Sequence, residues 1–124
     1  MLDASALLAI LNQEIGSEKL SPELLSISVS STVNLAEVQA KLVRRGLRPG
    51  EAWEATLSPV REAVSFNEEQ AKLAGSLVSH TRPLGLSLED RACLALGIAL
   101  KAPIYTADQS GKTLKIGVAI HSIR

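Results

Sequence analysis

The sequence predicts an α/β fold in which helices cover both faces of a mostly parallel sheet. Short strand-like segments alternate with helical segments of about ten residues, which is typical of βαβ units. The chain has 124 residues, a length that fits one domain spanning 1–124, and no internal repeat, low-complexity tract or linker interrupts it. Because 46% of the residues are hydrophobic, there is enough apolar surface for a packed core.

Helices are predicted where apolar residues recur at helical spacing, after a residue that caps a helix or before a glycine that ends one. The segments are 4–12, 17–25 with an interruption at Pro22, 33–45, 49 to about 61, one that starts at 67, and 87 to about 100. Thr32 is expected to cap the third of them, and Asn67 to start the fifth. The string Ser87-Leu88-Glu89-Asp90 predicts a capping box at the start of the last.

Strands are predicted where β-branched and apolar residues alternate or form short blocks. The segments are 26–30, 63–66, 103–106 and 117–120. The stretch 80–86 is predicted to be a loop because it holds Pro83 and Gly85, and 107–113 is predicted to be a glycine-containing loop. Strands and helices therefore alternate along most of the chain.

Composition excludes several classes of site. Thirteen acidic and thirteen basic residues give a formal net charge of zero, so any nucleic acid must be held locally rather than by an overall field. One cysteine and two histidines argue against a disulfide and against a Cys- or His-rich metal site. With no signal-peptide pattern and no apolar run near the roughly 20 residues that span a bilayer, we expect a cytoplasmic protein without membrane contact.

The placement of aspartate points to a site. Only three of the thirteen acidic residues are aspartates: Asp3, Asp90 and Asp108. Two of them follow an apolar strand and the third opens a helix, positions that meet at the carboxyl ends of strands in an open α/β sheet. Carboxylates crowded there repel one another unless a cation intervenes, and Mg²⁺ or Mn²⁺ prefers oxygen ligands. Such an ion activates water and stabilises charge on a phosphate.

Each acid also has a local structural explanation. Asp3 or Asp90 could serve only as a helix cap, and Asp108 could form an Asx-turn. Glu37, the fourth candidate, could pair with Lys41 four residues further along its helix. The case for a site therefore depends on the four acids jointly.

Four strings, in order along the chain, carry a resemblance to a known family. They are Leu2-Asp3-Ala4-Ser5-Ala6-Leu7-Leu8-Ala9, Val33-Asn34-Leu35-Ala36-Glu37-Val38, Leu86-Ser87-Leu88-Glu89-Asp90-Arg91-Ala92 and Tyr105-Thr106-Ala107-Asp108. Together they resemble the PIN domain, most closely the VapC-type toxins of type II toxin–antitoxin pairs, over nearly the whole chain. The resemblance implies a compact α/β/α sandwich with a parallel sheet of four or five strands. It also implies a Mg²⁺- or Mn²⁺-dependent endoribonuclease that hydrolyses RNA phosphodiester bonds.

The resemblance assigns roles to individual side chains. It implies that four acids bind the metal ion and carry catalysis: Asp3, Glu37, Asp90 and Asp108. Ser5, a small hydroxyl residue two places after the first acid, would support the site. Thr106 would orient the last acid or a water. A cognate antitoxin and a homodimer are the implied protein partners, with apolar surfaces around Trp53 or 73–78 as candidate dimer interfaces.

Three arginines are candidates for contact with RNA. Arg91, beside Asp90, could hold a phosphate, although a helix-surface salt bridge is the commoner role of such an arginine. Arg44 and Arg45 lie in a basic cluster next to the helix of Glu37. This cluster could guide RNA, bind an acidic partner or simply be solvated.

Two other functions stay open at this point. One is a PIN-like nuclease of RNA maturation outside any toxin system, and the other is a PIN-like module for binding or assembly with little catalysis. A receiver domain has similar length and alternation, but it needs a phosphoacceptor aspartate after its third strand. No aspartate occurs between residues 4 and 89, so the receiver domain is excluded.

Overall fold

The strands of the computed structural model, which describes residues 1–111 and 114–124, are short and parallel. They are β1 (Val29–Ser31), β2 (Glu62–Val64), β3 (Ile104–Thr106) and β4 (Ile120–Ser122). β1 pairs with β2, and β3 pairs with β4. Each strand has three residues. Because the strands form two separate pairs, the order of the sheet depends on the segment that joins these pairs.

The segment Met1–Asp3 joins the two pairs of strands. On one side, the Leu2 amide donates to the Val29 carbonyl at 3.0 Å. On the other side, the Tyr105 amide donates to the Met1 carbonyl at 2.8 Å, and Leu2 forms a parallel bridge with Tyr105. The result is a parallel array in the order β2, β1, Met1–Asp3, β3, β4, as the resemblance implied.

Seven α-helices are present in the part of the chain that the structure describes. They are α1 (Ala4–Leu11), α2 (Pro22–Leu25), α3 (Thr32–Arg44), α4 (Pro49–Leu57), α5 (Glu68–Ser76), α6 (Val78–Thr81) and α7 (Leu88–Leu100). Short 3₁₀ turns occur at Ser17–Lys19 and Arg82–Leu84. Among the described residues, no helix is long and apolar enough to cross a bilayer.

Two apolar clusters lie on opposite faces of the sheet and give the three layers. The first contains buried side chains of α1, α3 and α4, among them Leu7 and Leu35, together with Leu2 of the central segment. The second contains Leu96 of α7 together with Met1 and Leu77, among others. Because neighbouring residues of an extended segment point to opposite faces, Met1 and Leu2 serve different clusters. The predicted α/β/α sandwich is therefore confirmed.

Two of the predicted strands are displaced. The predicted strand 26–30 is observed as β1, which starts three residues later and ends one residue later, because turn hydrogen bonds from α2 continue up to the Ser28 amide. The predicted strand 117–120 is observed as β4, since pairing of Ile104 with Ile120 fixes its register. The predicted strand 63–66 is β2, one residue earlier at its start, and 103–106 is confirmed as β3.

Two predicted features of the helices were wrong, the cap of α3 and the end of α4. Ser31, rather than Thr32, caps α3, and its hydroxyl accepts from the Val33 amide at 3.2 Å. α4 ends at Leu57 rather than near 61. The prediction of a loop over 80–86 was wrong for most of the segment, because α6 and the 3₁₀ turn Arg82–Leu84 occupy residues 80–84. A proline is tolerated in the first turn of such a helix. In the predicted loop 107–113, residues 112 and 113 lie outside the described residues.

Gly16 is a position where we expect a large loss of stability on substitution by alanine. Its φ is +99°, and an added Cβ would overlap the carbonyl oxygen of Ile123. Gly46 is a matched control, because its φ is +108° and nothing lies within 4 Å of the added Cβ. Gly46→Ala should cost about 1–2 kcal/mol of strain. Gly16→Ala should cost about 1–3 kcal/mol more from overpacking. Equal free energies of unfolding of the two variants in urea would contradict this close approach.

Candidate active site

Asp3 lies at the carboxyl end of the central segment, where it also begins α1. Its Oδ1 accepts a hydrogen bond from the Ala6 amide at 2.9 Å, so it caps the helix as its local pattern indicated. The same oxygen accepts from the Ser5 hydroxyl at 2.7 Å. The residue is only 8% exposed. A carboxylate is thus held rigidly inside the fold, with one oxygen fully engaged.

Hydroxyl groups connect Asp3 to the end of β3. The Ser5 hydroxyl, besides donating to Asp3, accepts from the Ala107 amide at 2.9 Å and lies 3.1 Å from the Thr106 hydroxyl. Thr106 in turn accepts from the Asp108 amide at 2.9 Å. This chain of contacts fixes the start of the loop that bears Asp108 relative to Asp3.

Burial raises the pKa of Asp3 above its ordinary value of 3.8. Hydrogen bonds from the Ser5 hydroxyl and the Ala6 amide offset part of this rise, whereas the negative charge of Asp90 adds to it. The ionised carboxylate is therefore under-solvated and close to a second acid. A cation placed beside it would relieve both costs.

Asp90 lies in the first turn of α7 and takes part in the predicted capping box. Its Oδ2 accepts from the Ser87 amide at 2.9 Å and from the Ser87 hydroxyl at 3.0 Å. The Asp90 amide donates back to that hydroxyl at 3.2 Å. The carboxylate is half-buried, and capping uses only one of its two oxygens.

Asp108 follows β3 on an exposed stretch. Its Oδ1 accepts from the Ser110 amide at 2.9 Å and from the Ser110 hydroxyl at 2.5 Å, which is the Asx-turn that its local pattern allowed. These hydrogen bonds lower the pKa of Asp108 below its ordinary value. The group is therefore ionised over a wide pH range.

Glu37 lies on α3 and is half-buried, as its helix face indicated. Its Oε1 is 3.9 Å from Lys41 Nζ, an ion pair with one helical turn between the partners. The local explanation of Glu37 therefore holds in the structure. The same side chain also borders the cleft described next.

Two adjoining cavities bring the four acids together. A small one of about 30 Å³, enough for one or two water molecules, is bordered by Asp3, Asp90 and Asp108. A larger cleft of about 640 Å³ is bordered by Glu37, Asp90 and Asp108. Asp90 and Asp108 line both. Cys93 forms part of the wall of the small cavity, where burial raises the pKa of its thiol well above the ordinary value.

The three arginines proposed for RNA do not line these cavities. Arg91 Nη1 donates to the Ala74 carbonyl at 3.0 Å and ties α7 to α5. Arg45 Nη1 donates to Asn12 Oδ1 at 2.9 Å, and Arg44 is exposed in the last turn of α3. Their roles in RNA binding stay predictions, and the contact of Arg91 with the Ala74 carbonyl does not favour such a role.

Several residues of the cleft were not singled out from the sequence as site residues, among them two further acids, Glu14 and Glu89. Lys41 and Arg124 supply positive charge to its lining, and Arg124 forms an ion pair with Glu14. Asn34 contributes a buried amide. Asn34 was detectable in principle, because it precedes Glu37 by three residues and so shares its helix face. Nothing local marks Arg124, which reaches the cleft from the other end of the chain.

The donors fit a hard divalent cation, although they do not yet enclose one. Throughout residues 1–111 and 114–124, no three Asp, Glu, His or Cys side chains are close enough to hold a metal ion. The acids nevertheless present carboxylate oxygens to shared cavities, and Asn34 Oδ1 is a buried oxygen without a hydrogen-bond partner. Oxygen donors of this kind suit Mg²⁺ or Mn²⁺. Small side-chain movements would have to complete the coordination.

Comparison with solved structures finds toxin–antitoxin complexes with the same fold. VapBC2 of Rickettsia felis, bound to a DNA fragment from its promoter, superposes with a TM-score of 0.77 at 19% identity, covering 98% of this chain and 96% of that chain. A toxin–antitoxin complex from Klebsiella pneumoniae gives 0.75 at 13% identity, covering 99% and 96%. VapBC-5 of Mycobacterium tuberculosis gives 0.61 at 20% identity, covering 99% and 95%. At these identities the likeness establishes the fold.

The family follows from the sequence itself. No curated protein sequence gives a significant match. The family model described as the PIN domain, however, matches residues 1–114. PIN domains are generally nucleases that depend on divalent metal ions. The resemblance carried by the four strings is thus confirmed, and the chain belongs to the PIN domain family.

Proposed function

We propose that the protein is a Mg²⁺- or Mn²⁺-dependent endoribonuclease that hydrolyses RNA phosphodiester bonds. The observation that carries this proposal is the convergence of four acids on two adjoining cavities at the carboxyl end of a parallel sheet. A cleft of about 640 Å³ lies in the size range of ligand-binding sites.

The acids would bind the ion, and neighbouring hydroxyl groups would hold them in place. Asp3 would supply its second oxygen, since Oδ1 is engaged by Ser5 and the Ala6 amide. Asp90 would likewise offer the oxygen that the capping box leaves free. The bound ion would activate water and offset charge on the phosphate. Ser5 and Thr106 would hold the ligands in place, because they orient Asp3 and the backbone of Asp108.

Lys41 and Arg124 would contribute to binding the RNA backbone. Each lines the cleft and is paired with a glutamate in the free protein, Glu37 and Glu14 respectively. Exposed ion pairs of this kind are weak, so a phosphate can replace the glutamate at little cost. Local positive charge of this kind is what a chain of zero net charge needs in order to hold RNA.

We further propose that this nuclease is the toxin of a type II toxin–antitoxin pair. Four solved structures that share its fold along almost their entire length are toxin–antitoxin complexes. The partner would be a cognate antitoxin protein, and the toxin would form a homodimer. A cytoplasmic location remains the expectation for such a pair.

The test is cleavage of a labelled single-stranded RNA of mixed sequence by the purified chain. We expect cleavage with millimolar Mn²⁺ or Mg²⁺, none in EDTA, and recovery when excess metal is added back. A DNA strand of the same sequence, which lacks the 2′-hydroxyl, is the control and should stay intact. Cleavage that continues in EDTA, or no RNA cleavage at millimolar metal, would overturn the proposal.

A further inference from the structure

Asn34 connects the two helices that carry Glu37 and Asp90. It lies one turn before Glu37 on α3 and is only 1% exposed. Its Nδ2 donates to the backbone carbonyl of Glu89 at 2.9 Å, and Glu89 immediately precedes Asp90 on α7. The side chain therefore fixes the spacing between two of the proposed metal ligands.

The other end of this amide has no hydrogen-bond partner. Because the Glu89 carbonyl can only accept a hydrogen bond, it must face Nδ2, and the orientation of the amide is thereby determined. Oδ1 is then buried without a partner among the described residues. A buried acceptor left unpaired destabilises the fold, so the presence of one here calls for an explanation.

The place of Asn34 in the cleft lining offers an explanation. Three buried side-chain atoms in the described part of the chain lack a partner, and they belong to Asn34, Gln70 and Arg91. Of these three residues, Asn34 is the one that lines the cleft with Glu37 and Asp90. An amide oxygen is an established type of ligand for hard divalent cations. It also adds no negative charge to a site that already holds several carboxylates.

We propose that Asn34 Oδ1 is an oxygen donor toward the divalent cation that the acids bind. This inference rests on the proposed function and deepens it. The amide would then have two roles. Nδ2 would set the distance between α3 and α7 through its hydrogen bond to the Glu89 carbonyl. Oδ1 would gain a partner when the acids close around the cation. Asn34 is thus a ligand of the site as well as a positioning residue for Glu37 and Asp90.

Two substitutions separate the donor role from a purely structural one. Asn34→Leu keeps the approximate size of the side chain and removes both the hydrogen bond to the Glu89 carbonyl and the amide oxygen. Asn34→Asp keeps an oxygen toward the site and adds charge, but it loses the donor to the Glu89 carbonyl. If Asn34 only spaces the helices, both variants lose the same contact and should respond to metal alike. If Oδ1 faces the cation, Asn34→Leu should lose metal affinity, whereas Asn34→Asp should keep or increase it.

The experiment is a calorimetric titration of the full metal-free chain with Mn²⁺, together with thermal melting with and without Mn²⁺. Without metal, both variants should melt below the wild type. With Mn²⁺, we expect Asn34→Leu to bind about 10–100-fold more weakly than the wild type. Asn34→Asp should bind at least as tightly as the wild type and show the larger rise in melting temperature.

Wild-type affinity in Asn34→Leu, or equal weakening in both variants, would overturn the donor role. If Asn34→Leu does not fold, Asn34→Ala carries the same comparison. Absence of Mn²⁺ binding by the wild type would instead overturn the proposed function, so the two failures are distinguishable.

Discussion

Replacing Asp3 with asparagine is expected to reduce metal-dependent RNA cleavage by at least about 100-fold. Loss of a residue that merely supports a metal ligand costs about 10–100-fold, and loss of the ligand's charge should cost at least as much. Asparagine is also a good helix cap, so the hydrogen bond from the Ala6 amide to this side chain should survive. The loss of activity should therefore not come from unfolding.

The same substitution should stabilise the metal-free protein near neutral pH. Since burial raises the pKa of Asp3 in the folded state, the folded protein holds the proton more tightly than the unfolded chain. The wild type consequently loses stability as the pH rises from about the ordinary value of 3.8 through the raised pKa. Asp3→Asn has no such loss. Its advantage in free energy of unfolding should therefore be present at neutral pH and should vanish in acid.

The measurements are RNA cleavage with Mn²⁺ and urea unfolding of the metal-free chain across this pH range. Glu68→Gln is the control, because Glu68 is an exposed acid in the first turn of α5 and borders neither cavity. Glu68→Gln should cleave RNA like the wild type, and its free energy of unfolding should vary with pH as that of the wild type does. Undiminished cleavage by Asp3→Asn would remove Asp3 from the site, and a less stable metal-free variant at neutral pH would contradict the cost of its buried charge.

The positions of the acids were largely predictable, because each is marked by a local pattern. Asp3 caps α1, Asp90 completes a capping box and Asp108 forms an Asx-turn, as their sequence neighbours indicated. Those local roles and a site role are not alternatives in this fold. The residues that cap helices at the carboxyl end of a parallel sheet are the ones that line its crevice. A structural explanation of an acid was therefore not a reason to discard it.

What the sequence could not predict depends on contacts between distant residues. Asn34 meets Glu89 across 55 positions, and Arg124 meets Glu14 across 110. Nothing in the neighbourhood of either residue specifies its partner. The shift of β4 has the same origin, since its register is set by pairing with β3 rather than by its own alternation. For Arg91 the local sequence was misleading. Its neighbour Asp90 suggested a role in the site, but its guanidinium donates to the Ala74 carbonyl of α5.

At Asp90, capping of α7 and metal binding can be tested separately, because Ser87 takes part in the same capping contacts. Asp90→Asn removes the charge but keeps an oxygen that can accept from the Ser87 amide. Ser87→Ala removes the cap and leaves the carboxylate in place. We expect Asp90→Asn to lose at least about 100-fold of Mn²⁺-dependent cleavage with little change in melting temperature.

Ser87→Ala should behave in the opposite way. Loss of a helix cap costs about 1 kcal/mol of folding free energy, while most of the cleavage activity should remain because the ligand is intact. The readouts are cleavage rate and urea unfolding for both variants. If Ser87→Ala impaired cleavage as severely as Asp90→Asn, the contribution of Asp90 would lie in holding the first turn of α7. If only Asp90→Asn impaired it, the carboxylate charge itself would be required at the cleft, and capping would be the means by which the fold presents it there.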